Sequence, residues 1–209
     1  SKFTLGTSAM LNVHVGPSYQ EPPAGSHGLP LWQLPEHGTA FCFEGNVVTA
    51  GAIVDWLVQI GLLESPGALD AVCRGVVADH GVVFVPAFQG LGTPFLDDSA
   101  RGFVVGLTRG SGAGELVHAA IVGIAHRCVD VIDSLPVGAA PLRVDGGLAQ
   151  SRVLLQKLAD LAGREVLRAS ETETTAVGAA LLAALPVGLL DSPAAIRERG
   201  QEPERFEPQ

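Results

Sequence analysis

An apolar strand that passes through one acidic residue into two glycines and then a helix constrains this chain more than any other feature. It reads Leu142-Arg143-Val144-Asp145-Gly146-Gly147-Leu148-Ala149-Gln150-Ser151. Paired glycines at the carboxyl end of a buried strand remove the Cβ atoms that would hold a flat ligand off the backbone. The helix that follows offers unpaired N–H groups and the positive end of its dipole. Such a turn suits a nucleotide, and it equally suits a strand-to-helix connection that needs only tight geometry. Asp145 is read as holding the turn or a metal-bound water rather than as a base.

Periodicity elsewhere builds an α/β domain around that strand. Residues 3–15 alternate as a strand pair or one bent strand, interrupted at Gly6-Thr7-Ser8. The Pro-, Gly- and His-rich stretch 16–38 reads as a loop with a short strand at 31–34. A strand at 41–45 leads into a helix over 47–60 whose apolar stripe is Ile53, Trp56, Leu57 and Ile60. A helix at 68–77, a buried strand at 82–85 stopped by Pro86, and a strand at 103–107 follow. The clearest helix is 114–135, with Leu116, Ala120, Ile124, Cys128, Val131 and Leu135 inward. Strand 142–144, helix 148–162, strand 165–168 and helix 174–185 complete the alternation. Residues 191–209 are polar and read as a short terminal helix with a frayed tail.

At 209 residues the chain makes one domain or at most two. No apolar run approaches the roughly 20 residues that span a bilayer. The start, Ser1-Lys2-Phe3-Thr4-Leu5-Gly6, is not that of a signal peptide, so a cytoplasmic location without a membrane partner is expected. Cys42, Cys73 and Cys128 lie far apart in apolar contexts and read as buried, reduced thiols. His14, His27, His37, His80, His118 and His126 show no metal-ligand spacing. Asp97, Asp98 and Arg101 read as an ion cluster that pins a loop. A net charge of −9 argues against a nucleic-acid partner, and any phosphate must be held by local donors and a metal ion. No strained Ser-His-Asp elbow, Walker loop or Gly-x-Gly-x-x-Gly run is present.

Two further segments bear on chemistry. Gly6-Thr7-Ser8 could offer backbone N–H groups and two hydroxyls to phosphoryl oxygens, or be an ordinary turn. Ala50, Gly51 and Ala52 allow close approach, by a ligand or by a packed neighbour.

Taken in order, these segments resemble the C-terminal domain of the FGGY carbohydrate kinases, the glycerol kinases among them most closely. The resemblance rests on Leu5-Gly6-Thr7, Phe43-Glu44-Gly45, Ala50-Gly51-Ala52 with Trp56, Val85-Pro86-Ala87-Phe88 and Gly90-Leu91-Gly92. It continues through Ala100-Arg101-Gly102, Gly106-Leu107-Thr108-Arg109-Gly110, Arg143-Val144-Asp145-Gly146-Gly147 and Ala176-Val177-Gly178-Ala179-Ala180. It implies an actin-like, ribonuclease-H-like ATPase fold with a central mixed sheet flanked by helices. Residues 1–190 would be the nucleotide-binding domain, and 191–209 the terminal helix and tail.

The implied activity is transfer of the ATP γ-phosphate, with Mg²⁺, to a hydroxyl of a small polyol or sugar. Glycerol comes first. A xylulokinase-like sugar kinase is the alternative, because Gly6-Thr7-Ser8 has the form of those relatives, and a non-catalytic nucleotide-binding module is another. The implied nucleotide contacts are Gly6, Thr7, Ser8, Gly51, Asp55, Gly146, Gly147 and Ser151. Thr7 would meet the γ-phosphate, Gly51 the phosphate-ribose region and Gly147 the adenosine. Asp55 stands where the glycerol kinases have Gln, Ser151 where they have Asn, and Val122 where the family has an acidic or amide residue. The family's catalytic aspartate lies just before the Gly-Thr loop, so the base is expected upstream of Ser1 and no catalytic residue is assigned here. The substrate domain is likewise expected outside this chain, which alone should be inactive. A face normally covered by that domain leaves room for a homo-oligomer.

Overall fold

Alternation puts Phe3, Leu5, Leu11 and Val13 on one side of a hairpin, and in the computed structural model that side is the floor of the core. The structure describes residues 1–34, 38–77, 81–190, 192 and 202–209. Strands β1 (Lys2–Leu5) and β2 (Ala9–Gly16) pair antiparallel across the Gly6-Thr7-Ser8 turn. Strand β3 (His27–Leu34) and strand β4 (Gly38–Val47) extend the meander. Helix α1 (Gly51–Gln59), a 3-10 turn (Pro66–Ala68) and helix α2 (Leu69–Cys73) follow. A separate two-stranded sheet, β5 (Val83–Val85) with β6 (Phe103–Val105), precedes the long helix α3 (Ala113–Ser134). Then come β7 (Leu142–Asp145), a 3-10 turn (Gly147–Gln150), α4 (Arg152–Ala162), β8 (Val166–Arg168), α5 (Thr174–Ala184) and β9 (Glu204–Phe206).

The seven-stranded sheet has the order β3-β4-β2-β1-β7-β8-β9. β1, β7 and β8 are parallel and the other neighbours antiparallel, so the sheet is mixed, as the resemblance implies. Its core face meets α3 and α4 through Ile121, Ile124, Cys128, Leu154, Leu155 and Leu158, all fully buried. On the opposite face Lys2 and Asp145 tie α5 down through Thr175 and Thr174.

Several expectations shift. The strand expected at 31–34 within a loop is the second half of an eight-residue edge strand, β3, and Pro30 is tolerated at its register shift because an edge strand can lack a ladder donor. The helix expected from residue 47 begins at Gly51, since β4 continues to Val47. The helix expected over 148–162 is broken at Ser151 into a 3-10 turn and α4. The terminal-helix reading falls largely on residues 191 and 193–201, which lie outside the described residues. Its last part is instead strand β9, because β8 offers an open edge and Phe206 packs into the core. Asp97 and Arg101 pin their loop as expected, chiefly through hydrogen bonds within the turn. Asp97 accepts from the Ser99 hydroxyl at 2.6 Å, which holds its carboxyl below the usual range, while Arg101 donates to the Asp98 and Ala100 carbonyls. His37 and His80 lie outside the described residues; His14 stacks on Trp32 and His118 is buried.

The three cysteines are buried and free, as expected. Burial pushes the Cys128 thiol up to about 12 and the Cys73 thiol to about 11. A raised pKa starves the reactive thiolate at neutral pH. Native protein at pH 8 should therefore label with a thiol reagent far more slowly than denatured protein, which should count three thiols. Prompt labelling of Cys128 in the folded chain would contradict this packing.

Candidate functional site

β1 and β7 are neighbouring parallel strands with Thr4 opposite Asp145, so both open at the same end, each into a glycine turn. Ligands in open α/β sheets gather at the carboxyl ends of such strands. At the β1 end, the Gly6 N–H donates to the Ser8 carbonyl at 2.9 Å and closes the hairpin. The start of α1 grips this turn from behind. Ala50 and Ala52 donate to the Thr7 carbonyl at 3.0 and 3.1 Å, and Gly51 donates to the Gly6 carbonyl at 2.9 Å. These bonds occupy N–H groups that a helix start leaves over. With its carbonyls drawn back, the turn keeps the Thr7 and Ser8 N–H groups and both hydroxyls without an acceptor among the described residues. That is a compact set of neutral donors on a protein of charge −9.

Gly51 is where it is because of this grip: a Cβ there would lie 2.6 Å from the Gly6 carbonyl oxygen. Its role is to seat the turn. Asp55, one helical turn along, is exposed and does not line the cavity described next.

At the β7 end the two glycines do different work. Gly146 has φ +92°, and a Cβ would meet the Leu5 carbonyl oxygen at 2.5 Å, so the bend lies directly on the backbone of β1. A Cβ on Gly147 would meet no protein atom within 4 Å. Gly147 faces a cavity of about 320 Å³ lined by Pro66, Gly67, Leu69 and Asp70 on one wall and Gln150 and Ser151 on the other. Ser151 caps α4: its hydroxyl accepts from the Leu154 N–H at 3.1 Å and donates to Asp70 at 2.7 Å. The same carboxylate accepts from the Arg152 N–H at 2.9 Å. Arg168, paired with Glu204 of β9, donates to the Ala149 and Gln150 carbonyls and fixes the turn from beneath.

Asp145 is 2% exposed and meets Lys2 Nζ at 2.7 Å and the Thr174 hydroxyl. Its Oδ1 has no partner, a costly arrangement for a buried carboxylate. Its carboxylate ties β7 to β1 through Lys2 and to α5 through Thr174.

Gly6, Thr7, Ser8, Gly51 and Gly146 thus converge at one end of two adjacent strands. Gly147 and Ser151 line the cavity beside them, and Asp55 stands apart. Asp70, Lys2 and Thr174 were not visible in the sequence, because their partners lie far along the chain. Val122 lines a separate cavity of about 490 Å³ with Phe84, Pro86, Phe95 and the ionisable His126, Arg127 and Asp130, and nothing in the structure explains its departure from the family's acidic or amide residue. Among the described residues no cluster of three or more His, Cys, Asp or Glu could hold a metal ion, and no helix is long and apolar enough to cross a membrane.

A mixed sheet with helices on its faces and its glycine turns at the ends of adjacent parallel strands is the architecture of the actin-like ATPase class. The chain belongs to the FGGY family of carbohydrate kinases, matching the model of that family's C-terminal domain over residues 2–186. It is 41% identical to the glycerol kinase of Citrifermentans bemidjiense across all of this chain and 43% of that protein. It is 43% identical to the glycerol kinase of Koribacter versatilis over 80% of this chain and 35% of that protein. The crystal structure of Plasmodium falciparum glycerol kinase with ADP superposes with a TM-score of 0.87 at 27% identity, covering 100% of this chain and 42% of that one. A xylulose kinase from Lactobacillus acidophilus shares the fold at a TM-score of 0.81 and 23% identity, over 100% of this chain and 42% of that one. The chain thus spans less than half the length of the relatives it matches.

Proposed function

We propose that this chain is the ATP-binding half of a carbohydrate kinase that phosphorylates a small polyol, with glycerol the first substrate to test. One observation carries the reading: the unpartnered Thr7–Ser8 donors and the open surface of Gly147 sit at the ends of paired strands, with Gly146 on the Leu5 backbone between them. The residues fit a nucleotide. A cavity of about 320 Å³ is the size of a small-molecule site, and Gly147 leaves bare backbone where a flat ring can lie. In this scheme the Thr7 and Ser8 N–H and hydroxyl groups hold phosphoryl oxygens, and Gly147 with Pro66 and Gly67 borders the adenosine. When bound, Mg-ATP supplies the transferable phosphoryl group. This half of the molecule contributes positioning and hydrogen-bond donors, the chief work in such transfers. Glycerol is favoured over a pentulose by the glycerol kinases that match at about 40% identity.

Calorimetric titration of Mg-ATP into the 209-residue chain should show saturable one-site binding, while glycerol phosphorylation by the chain alone stays at background. Silence at millimolar nucleotide would mean that the glycines serve packing alone. Measurable turnover would mean that the base lies within this chain.

A further inference from the structure

Ser151 is poorly placed to read a base. Its one proton goes to Asp70, its oxygen accepts from the Leu154 N–H, and it is buried. The neighbouring residue is differently placed. Gln150 is exposed on the wall of the same cavity, and its carboxamide has no hydrogen-bond partner among the described residues. Its backbone is nevertheless fixed, because Arg168 donates to its carbonyl at 3.3 Å and is itself held by Glu204. A free amide on a pinned backbone at the mouth of a cavity is well suited to recognising a ring.

Accepting that this cavity is the base site, as the proposed function holds, we infer that Gln150 selects the nucleobase and favours adenine. A carboxamide sets an acceptor beside a donor, which matches the amino group and N7 of adenine in a two-bond pair, whereas the inosine base presents two acceptors, O6 and N7, that neither orientation of the amide can satisfy together. Asp70 reinforces the choice. Its carboxylate lines the same cavity and offers only acceptors, so it tolerates an amino group at C6 and repels a carbonyl oxygen there. Base selection thus rests with Gln150 and not with Ser151, which the α4 cap engages.

The experiment compares Mg-ATP with Mg-ITP, whose base differs by replacing the C6 amino group with a carbonyl. Both are titrated calorimetrically into the unmodified chain and into Gln150→Ala. The unmodified chain should prefer ATP by about tenfold, the scale of one good two-bond pair. Gln150→Ala should lose most of that preference through weaker ATP binding. Its melting temperature should be unchanged, since the side chain is exposed and makes no hydrogen bond among the described residues. If Gln150→Ala keeps the full preference, or the unmodified chain binds both nucleotides equally, the assignment is wrong while the nucleotide site stands. If the unmodified chain binds neither, both the assignment and the site are overturned.

Discussion

Gly147→Val is expected to remove Mg-ATP binding and leave the fold intact, whereas Gly146→Val is expected to damage the fold itself. The two positions are adjacent, so the contrast isolates ligand contact from packing. At Gly147 a new Cβ meets no protein atom within 4 Å, and the residue is exposed. The substitution should therefore cost the fold no more than about 0.5 kcal/mol, as exposed changes away from special geometry do. Its branched side chain would stand where the ring must lie. Losing that approach by about 3 kcal/mol weakens binding roughly a hundredfold. At Gly146 a side chain must adopt φ +92° and place Cβ 2.5 Å from the Leu5 carbonyl oxygen. Neither β1 nor β7 can yield, since each is a central strand of the sheet. A loss of about 3 kcal/mol or more follows, lowering Tm by roughly 10 °C in a domain of this size. Calorimetry and a melting curve on both variants decide it. Equal destabilisation by the two would make both glycines packing residues.

How far the sequence foretold this arrangement depends on the reach of each interaction. Strand β7 and its glycine turn were visible because their signal is local: apolar alternation, then residues without Cβ. The length of α3 was visible because twenty-two residues repeat one inner face. The first half of β3 and all of β9 were hidden for opposite reasons. β3 has only partly covered faces and contains a proline, and β9 is three residues long and exists only because β8 presents an edge. The site divides in the same way. Gly6, Thr7 and Gly147 could be named from local pattern and resemblance. That Ser151 is engaged by Asp70 could not, since 81 residues separate them. For Gly51 the sequence left a ligand and a packed neighbour as alternatives, and it could not name the neighbour. Its smallness is required by the Gly6 carbonyl behind the turn, a contact between segments 45 residues apart in the chain.

That contact yields the second large effect. Gly51→Val would push a side chain into the Gly6 carbonyl oxygen, 2.6 Å from the new Cβ, with Thr7 Cα at 3.3 Å. The turn must then retreat from α1, and the bonds from Ala50, Gly51 and Ala52 that draw its carbonyls back are lost or stretched. Each such net hydrogen bond is worth about 1 kcal/mol, so the fold should lose roughly 2–3 kcal/mol. The sharper consequence concerns the ligand. If the turn holds phosphates while the Gly147 cavity holds the base, displacing it should weaken ATP by about tenfold or more and leave adenosine binding nearly untouched. The cavity walls, Pro66 to Asp70 and Gly147 to Ser151, lie beyond the displaced segment. Titration of ATP by calorimetry and of adenosine by ligand-observed NMR, both at a temperature where the variant is folded, separates the two contributions. A parallel loss of both ligands would show that the turn and the cavity are not separate grips on one nucleotide.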